Sequence, residues 1–387
     1  MRLTPPLFAA GLSSLLAAGF SLPLAAAQPI TFREHTVATG LRGGYQVVAF
    51  DVNRDGRTDL IALASGMTEL LWFEAPDWKR HTLASGLQRM INLAACPGMN
   101  EIAVAHEFAN TPKNSTGVVS VLTPGPDRTQ PWSVREIDRL TTSHRLRCAH
   151  LDGTRTPVVV NAPLAGAKSD APDYRDHVPL VYYKPGEWKR ILINEANEGV
   201  VHGIYVTPWS DRREEILTAS FLGIHRHRLE KNGVWTRVLL APGDPAPWPR
   251  GGASDVAVGR LGKTRFLATI EPWHGNQVAV YHGSKDQWTR TVIDTALNDG
   301  HTIYTGDFDG DGRDEIVAGY RRAPYGVNLY QATGGAAEAW RKSIISEGSV
   351  SAAACAVAVL SAGQRPGLAC IGSATANLVW YENLGKQ

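Results

Sequence analysis

The chain has 387 residues, with Lys+Arg 39 against Asp+Glu 37 and a formal charge of +2, so nucleic acid is excluded as the expected partner for want of a basic excess. Hydrophobic residues at 43% and charged residues at 20% exclude a disordered chain. Gly 38, Pro 23 and Trp 11 favour a turn-rich all-β chain over a helical bundle, and length alone suggests two or three domains of ~150 residues.

The first element sets the compartment. Arg2, an apolar stretch from Leu7 to Leu24 and the small residues Ala25, Ala26 and Ala27 predict a secretory signal peptide over residues 1–27. Ser21 and Pro23 interrupt a stretch already short for a membrane span. The expectation is an exported protein, periplasmic or extracellular, in which disulfides are permitted.

From residue 28 the chain repeats. A strand pattern of one aromatic, two polar positions and a β-branched or Leu ending starts at Phe32 and recurs at Trp78, Trp132, Trp188, Trp235, Trp288 and Trp340. The spacing of 46 to 56 residues suits four-stranded blades of ~40–50 residues plus longer loops. Residues 28–387 therefore predict one domain, an all-β seven-bladed β-propeller, and the length prior gives way. Each blade opens with an inner strand (Tyr45–Phe50, His202–Thr207 and His301–Asp307 in blades 1, 4 and 6) and ends with the aromatic-led outer strand. The last repeat lacks a closing segment, so the N-terminal strand is expected to complete it and remove two sheet edges. Strand alternation puts the inner-to-second turns on one face and the outer-to-inner and second-to-third connections on the other.

Two inner-to-second turns are acidic. The first offers Asp51, Asn53, Asp55, Arg57 and Asp59; the second offers Asp307, Asp309, Asp311, Arg313 and Glu315. Oxygens at positions 1, 3, 5 and 9, a carbonyl at position 7 and a Gly at position 6 suit one hard cation. These turns resemble the calcium loops of FG-GAP/VCBS propeller repeats, which implies structural calcium.

Histidines gather on the opposite face. His144, His202 and His301 open inner strands, His106 and His274 follow second strands, and His225 and His227 open a third. Arg250, Arg321, Trp273 and Glu271 share that face. Histidine binds transition metals or moves protons near neutral pH, Arg holds carboxylates, and Trp offers a flat face to a sugar ring. The combination suits a carbohydrate, particularly an acidic one. No Gly-x-Ser-x-Gly elbow is present. Proton abstraction next to a carbonyl fits better, with a His or Tyr base and a metal or Arg holding the developing enolate.

The runs His202-Gly203-Ile204-Tyr205, Glu271-Pro272-Trp273-His274-Gly275-Asn276-Gln277 and Asp299-Gly300-His301-Thr302-Ile303-Tyr304-Thr305-Gly306-Asp307 resemble the propeller domain of aldos-2-ulose dehydratases. Propeller-fold polysaccharide lyases share the same enolate logic. The resemblance implies a lyase or dehydratase: metal-assisted β-elimination on a keto-sugar or a uronic-acid-containing glycan. It implies His202, His274 and His301 as acid/base groups or as ligands of zinc or another divalent metal. His144, Tyr205 and Tyr304 join them as catalytic candidates, with Arg250, Arg321, Trp273, Glu271 and His106 around the substrate. The alternative is a non-catalytic, calcium-stabilised propeller that binds a glycan or protein. Cys96, Cys148, Cys355 and Cys370 allow three pairings, of which Cys96–Cys148 and Cys355–Cys370 are favoured by their strand positions.

Overall fold

The computed structural model describes residues 28–386 except 152, 210–212, 285–286, 335–336, 338 and 361–364; the expected signal peptide lies outside the described residues. Seven four-stranded antiparallel sheets form the ring, and the only helix among the described residues is a single 3₁₀ turn, Pro112–Asn114. The inner strands of blades 1 to 7 are Gly44–Phe50, Asn92–Ala95, Ser143–Ala149, Val201–Pro208, Asp255–Leu261, Gly300–Gly306 and Ala352–Ala358. The first strand, Ile30–Thr39, pairs with the last, Asn377–Lys386, so Phe32 faces Asn383 and the ring closes as expected. No described helix is long and apolar enough to cross a membrane.

The core is a ring of seams. Seven apolar clusters lie between neighbouring blades: one joins Trp72 and Leu93 of blades 1 and 2, another joins Tyr330 and Ile270 of blades 6 and 5. Second strands such as Asp59–Ala64, Val158–Pro163 and Gly367–Gly372 are buried along their whole length. Both of their faces meet a neighbour, which is why they read as continuous apolar runs. Outer strands such as Ser133–Arg139 are largely exposed. Their marker Trp residues anchor the third-to-outer turn. Trp235 and Trp340 open their strands, Trp288 is second in its own, and Trp78, Trp132 and Trp188 stand just ahead of theirs.

Both favoured disulfides are present. Cys96–Cys148 joins blades 2 and 3 beside the channel, and Cys355–Cys370 links facing residues of one blade.

Candidate functional site

One local device builds the site. In blades 1, 3, 4 and 6 the second residue of the inner strand falls at a register shift, leaving Tyr45, His144, His202 and His301 without a ladder partner. A bulge bends the strand and re-aims the side chain. These four side chains meet at the channel mouth: Tyr45 and His301 ring centroids are 5.4 Å apart, His144 and His202 5.0 Å, and His202 and His301 5.0 Å.

His274 reaches the same point from a loop. It follows the second strand of blade 5, Thr264–Glu271, and its φ of +51° is left-handed, a conformation uncommon for a non-glycine residue. Gly275 makes the turn possible, since a Cβ there would lie 2.2 Å from the Glu271 carbonyl oxygen.

The hydrogen bonds orient three imidazoles inward. His202 Nδ1 lies 3.1 Å from the Ser254 carbonyl, and His301 Nδ1 lies 2.5 Å from the Ala353 carbonyl. His301 Nδ1 must therefore donate, which leaves Nε2 as its lone-pair atom; His202 Nδ1 also has Ser254 Oγ at 3.1 Å, and donation to the carbonyl leaves its Nε2 in the same state. His202 Nε2 is 3.2 Å from His274 Nε2, and buried His301 Nε2 has no hydrogen-bond partner. The ligand atoms of the three residues all lie within 4.8 Å of one another. Burial, then the neighbouring Arg145 for His202 and Arg321 for His301, holds both well below the ordinary histidine value. Burial and then Arg321 lower His274 to about 3. All three are neutral at physiological pH, as metal ligands must be.

Asp299 supports this group. Its carboxylate lies 3.5 Å from His274 Nδ1 and accepts a 3.1 Å bond from Arg321. Tyr45 hydroxyl lies 2.8 Å from His144 Nε2 and 3.4 Å from an Arg145 nitrogen. Tyr45 and Arg321 also line a cavity of about 390 Å³ with Arg89, Phe108 and Asn110.

Several expected residues stand elsewhere. Glu271 is fully buried and accepts from Thr269, Tyr281 and Arg290, so it holds the His274 loop and cannot meet substrate. His106 sits one strand out, against Ser120 at 2.9 Å. His225 and His227 lie within the third strand of blade 4, Gly223–Leu229, two strands from the channel or ~10 Å. Tyr205 and Tyr304 line the channel below the histidines, not among them. Arg250 is exposed ahead of blade 5. Trp273 packs edge-on against Tyr174 and beside His274. Arg145 and Arg89 were not singled out from sequence, and Tyr45 and Asp299 were given no role there.

In the acidic turns, Asp307, Asp309 and Glu315 converge, and burial pushes Glu315 up to about 8. Lys386 lies 2.9 Å from Asp309, and Asp311 carries a carboxyl raised first by burial. The Arg313 side chain turns to the Gly334 carbonyl, leaving its backbone carbonyl as the expected ligand. In the first turn, both Asp59 oxygens accept backbone N–H groups, from Val52 and Ala75. Asp59 is thus a strut for the turn. Asp51 and Asp55 accept N–H groups of Asp55, Gly56 and Arg57, and Asn53 donates to Glu74.

The fold and this arrangement define a seven-bladed propeller with a three-histidine site at one mouth of its channel. Residues 116–284 match the family described as aldos-2-ulose dehydratase, beta-propeller domain, a stretch that includes His144, His202 and His274. A curated relative, aldos-2-ulose dehydratase of Phanerodontia chrysosporium, is 28% identical over 254 residues, covering 57% of this chain and 28% of the relative's own length. The WD40 β-propeller domain of Doa1 superposes with a TM-score of 0.56 at 14% identity, covering 90% of this chain and 96% of that one, a likeness of fold alone.

Proposed function

We propose that the chain is an exported, carbohydrate-active carbon–oxygen lyase that eliminates water or an alcohol from a keto-sugar or a uronic-acid-containing glycan. The observation that carries this reading is the convergence of three neutral imidazoles whose ligand atoms lie within 4.8 Å of one another, with Nδ1 of His202 and His301 beside backbone carbonyls. His202, His274 and His301 would hold zinc or another divalent metal. When bound, such an ion supplies a Lewis acid that polarises a carbonyl oxygen.

The chain's own residues do the rest. Arg89 and Arg321 line the cavity beside the histidines and bind substrate oxygens or a carboxylate. Tyr45 and His144, 2.8 Å apart, take the proton from the carbon next to the carbonyl. The C–H electron pair forms the new double bond, the C–O bond to the leaving group breaks, and a proton returns to that oxygen. Arg145, 3.4 Å from the Tyr45 hydroxyl, favours the ionised phenol during transfer.

The test is an ultraviolet assay for an unsaturated product across keto-sugars and uronic-acid glycans, using His202→Ala and His301→Ala separately. Each should lose about 10²-fold or more. Full activity in both removes the catalytic reading and favours the glycan-binding one.

We also propose structural calcium in the turn of Asp307, Asp309, Asp311, Arg313 and Glu315, supported by the three converging carboxylates that would otherwise repel one another. The same ion is proposed for the turn of Asp51, Asn53, Asp55, Arg57 and Asp59 on sequence pattern.

A further inference from the structure

The lower channel contains a second polar chamber that the elimination chemistry does not use. Two adjoining spaces of about 330 and 300 Å³ share Arg147, Cys148 and Tyr304 in their walls. They are lined by the later residues of the inner strands, such as Val48, Val206 and Val357, and so lie toward the face of the acidic turns.

The charges lining it are not paired. Arg147 donates to Asn92 Oδ1 at 3.1 Å and to the Leu146 carbonyl at 2.9 Å, and it makes no ion pair among the described residues. The Asp255 carboxylate accepts only the neighbouring Val256 N–H, at 2.9 Å. It packs so closely on Gly203 that a Cβ there would lie 2.4 Å from Oδ1. Arg147 and Asp255 are both half-buried and line the chamber without an ion pair between them. The Arg147 fork lacks a carboxylate partner and the Asp255 carboxylate lacks a side-chain donor, so a ligand carrying both a carboxylate and hydroxyls satisfies each.

We propose that this chamber binds a small hydroxycarboxylate, its carboxylate on Arg147 and its hydroxyls on Asp255 and Tyr304. Arg offers a planar fork that matches a carboxylate, while a carboxylate such as Asp255 accepts hydroxyl donors. The volume lies at the lower end of the ~300–1,000 Å³ usual for small-molecule sites, which suits one sugar acid and not a chain of them. The chamber is separate from the cavity that holds Arg89 and Arg321 on the opposite face.

Titration calorimetry of the mature chain with D-gluconate, D-glucose and acetate tests the proposal, alongside diffraction from wild-type crystals soaked in gluconate. Gluconate should bind about tenfold or more tightly than either control, with density beside Arg147. Arg147→Gln and the chamber-filling Val206→Phe should each weaken it about tenfold, while His301→Ala leaves it unchanged. Gluconate that fails to bind wild type, or that lies outside the chamber, overturns the proposal. So does affinity that survives both chamber variants. Loss on His301→Ala instead assigns the ligand to the histidine site and leaves the lyase reading standing.

Discussion

His202 Nε2 lies 3.2 Å from His274 Nε2, and His202 Nδ1 is tied back to the Ser254 carbonyl. Arg321 Nη2 lies 3.3 Å from His274 Nδ1 and can only donate, so His274 Nε2–H donates to His202 Nε2 between two neutral rings. The Nε2 of His301, in the same group, has no partner. Burial, Arg145 and Arg321 disfavour an imidazolium here. A cation held by all three Nε2 atoms would move the His274 proton to Nδ1, toward Asp299.

Asp299 is expected to act through His274. Its carboxylate faces Nδ1 at 3.5 Å, and its own φ of +65° is left-handed. Outer partners of metal-bound imidazoles typically contribute 10–100-fold in affinity. Asp299→Asn should lower zinc affinity by about that factor, measured by competition with a chromogenic chelator, with the melting temperature little changed. Unchanged affinity would show that Asp299 serves only Arg321 and Arg322.

Glu271 should behave as a structural residue. It is 0% exposed, and Arg290 pairs with it at 2.7 Å. Removing Glu271 takes the acceptor from the buried Thr269 and Tyr281 hydroxyls, while Arg290 keeps Gln277 and Asp244, so Glu271→Ala should cost about 1–3 kcal/mol in denaturant unfolding. A stable Glu271→Ala protein with lost substrate binding would return Glu271 to the substrate site.

The two disulfides should differ in weight. Cys96–Cys148 spans 52 residues and Cys355–Cys370 spans 15. Loop-closure entropy then favours about 4 kcal/mol for the first and about 3 for the second. Replacing Cys96 and Cys148 by Ser should lower the melting temperature more than replacing the other pair. The reverse order would mean that the seam between blades 2 and 3 is held by packing alone.

Acid should destabilise blade 4. Burial, then Arg237, lowers His225 to about 4 and His227 to about 3. Both are depressed below the ordinary value of 6.5, so the folded state holds them neutral. Their contribution is complete above pH 6.5 and is lost as pH falls toward 4 and 3. His227→Gln should flatten the fall in melting temperature over that window. An unaltered slope would place the acid sensitivity elsewhere.

The ring was legible because its markers are local. Aromatic-led outer strands repeat at near-constant spacing, and the unclosed last repeat already pointed to Phe32 as its complement. His202, His274 and His301 were also legible, since strand parity assigns them to one face. Parity fixes height along the channel axis and not distance from it. That is why His106, His225 and His227 shared the face yet lie in second and third strands. Tyr45 was missed because its partner His144 is two blades away. Its signal was present: Gly44-Tyr45, Ser143-His144, Val201-His202 and Gly300-His301 open their strands at one register. Asp299 and Arg145 depend on side-chain directions that only the closed ring sets.

Anomalous diffraction from crystals soaked in zinc reads the three-histidine site directly. A peak should lie at about 2.0–2.1 Å from Nε2 of His202, His274 and His301, and be lost in His301→Ala. Zinc density confined to the acidic turns, with the three histidines unliganded, would contradict the metal assignment.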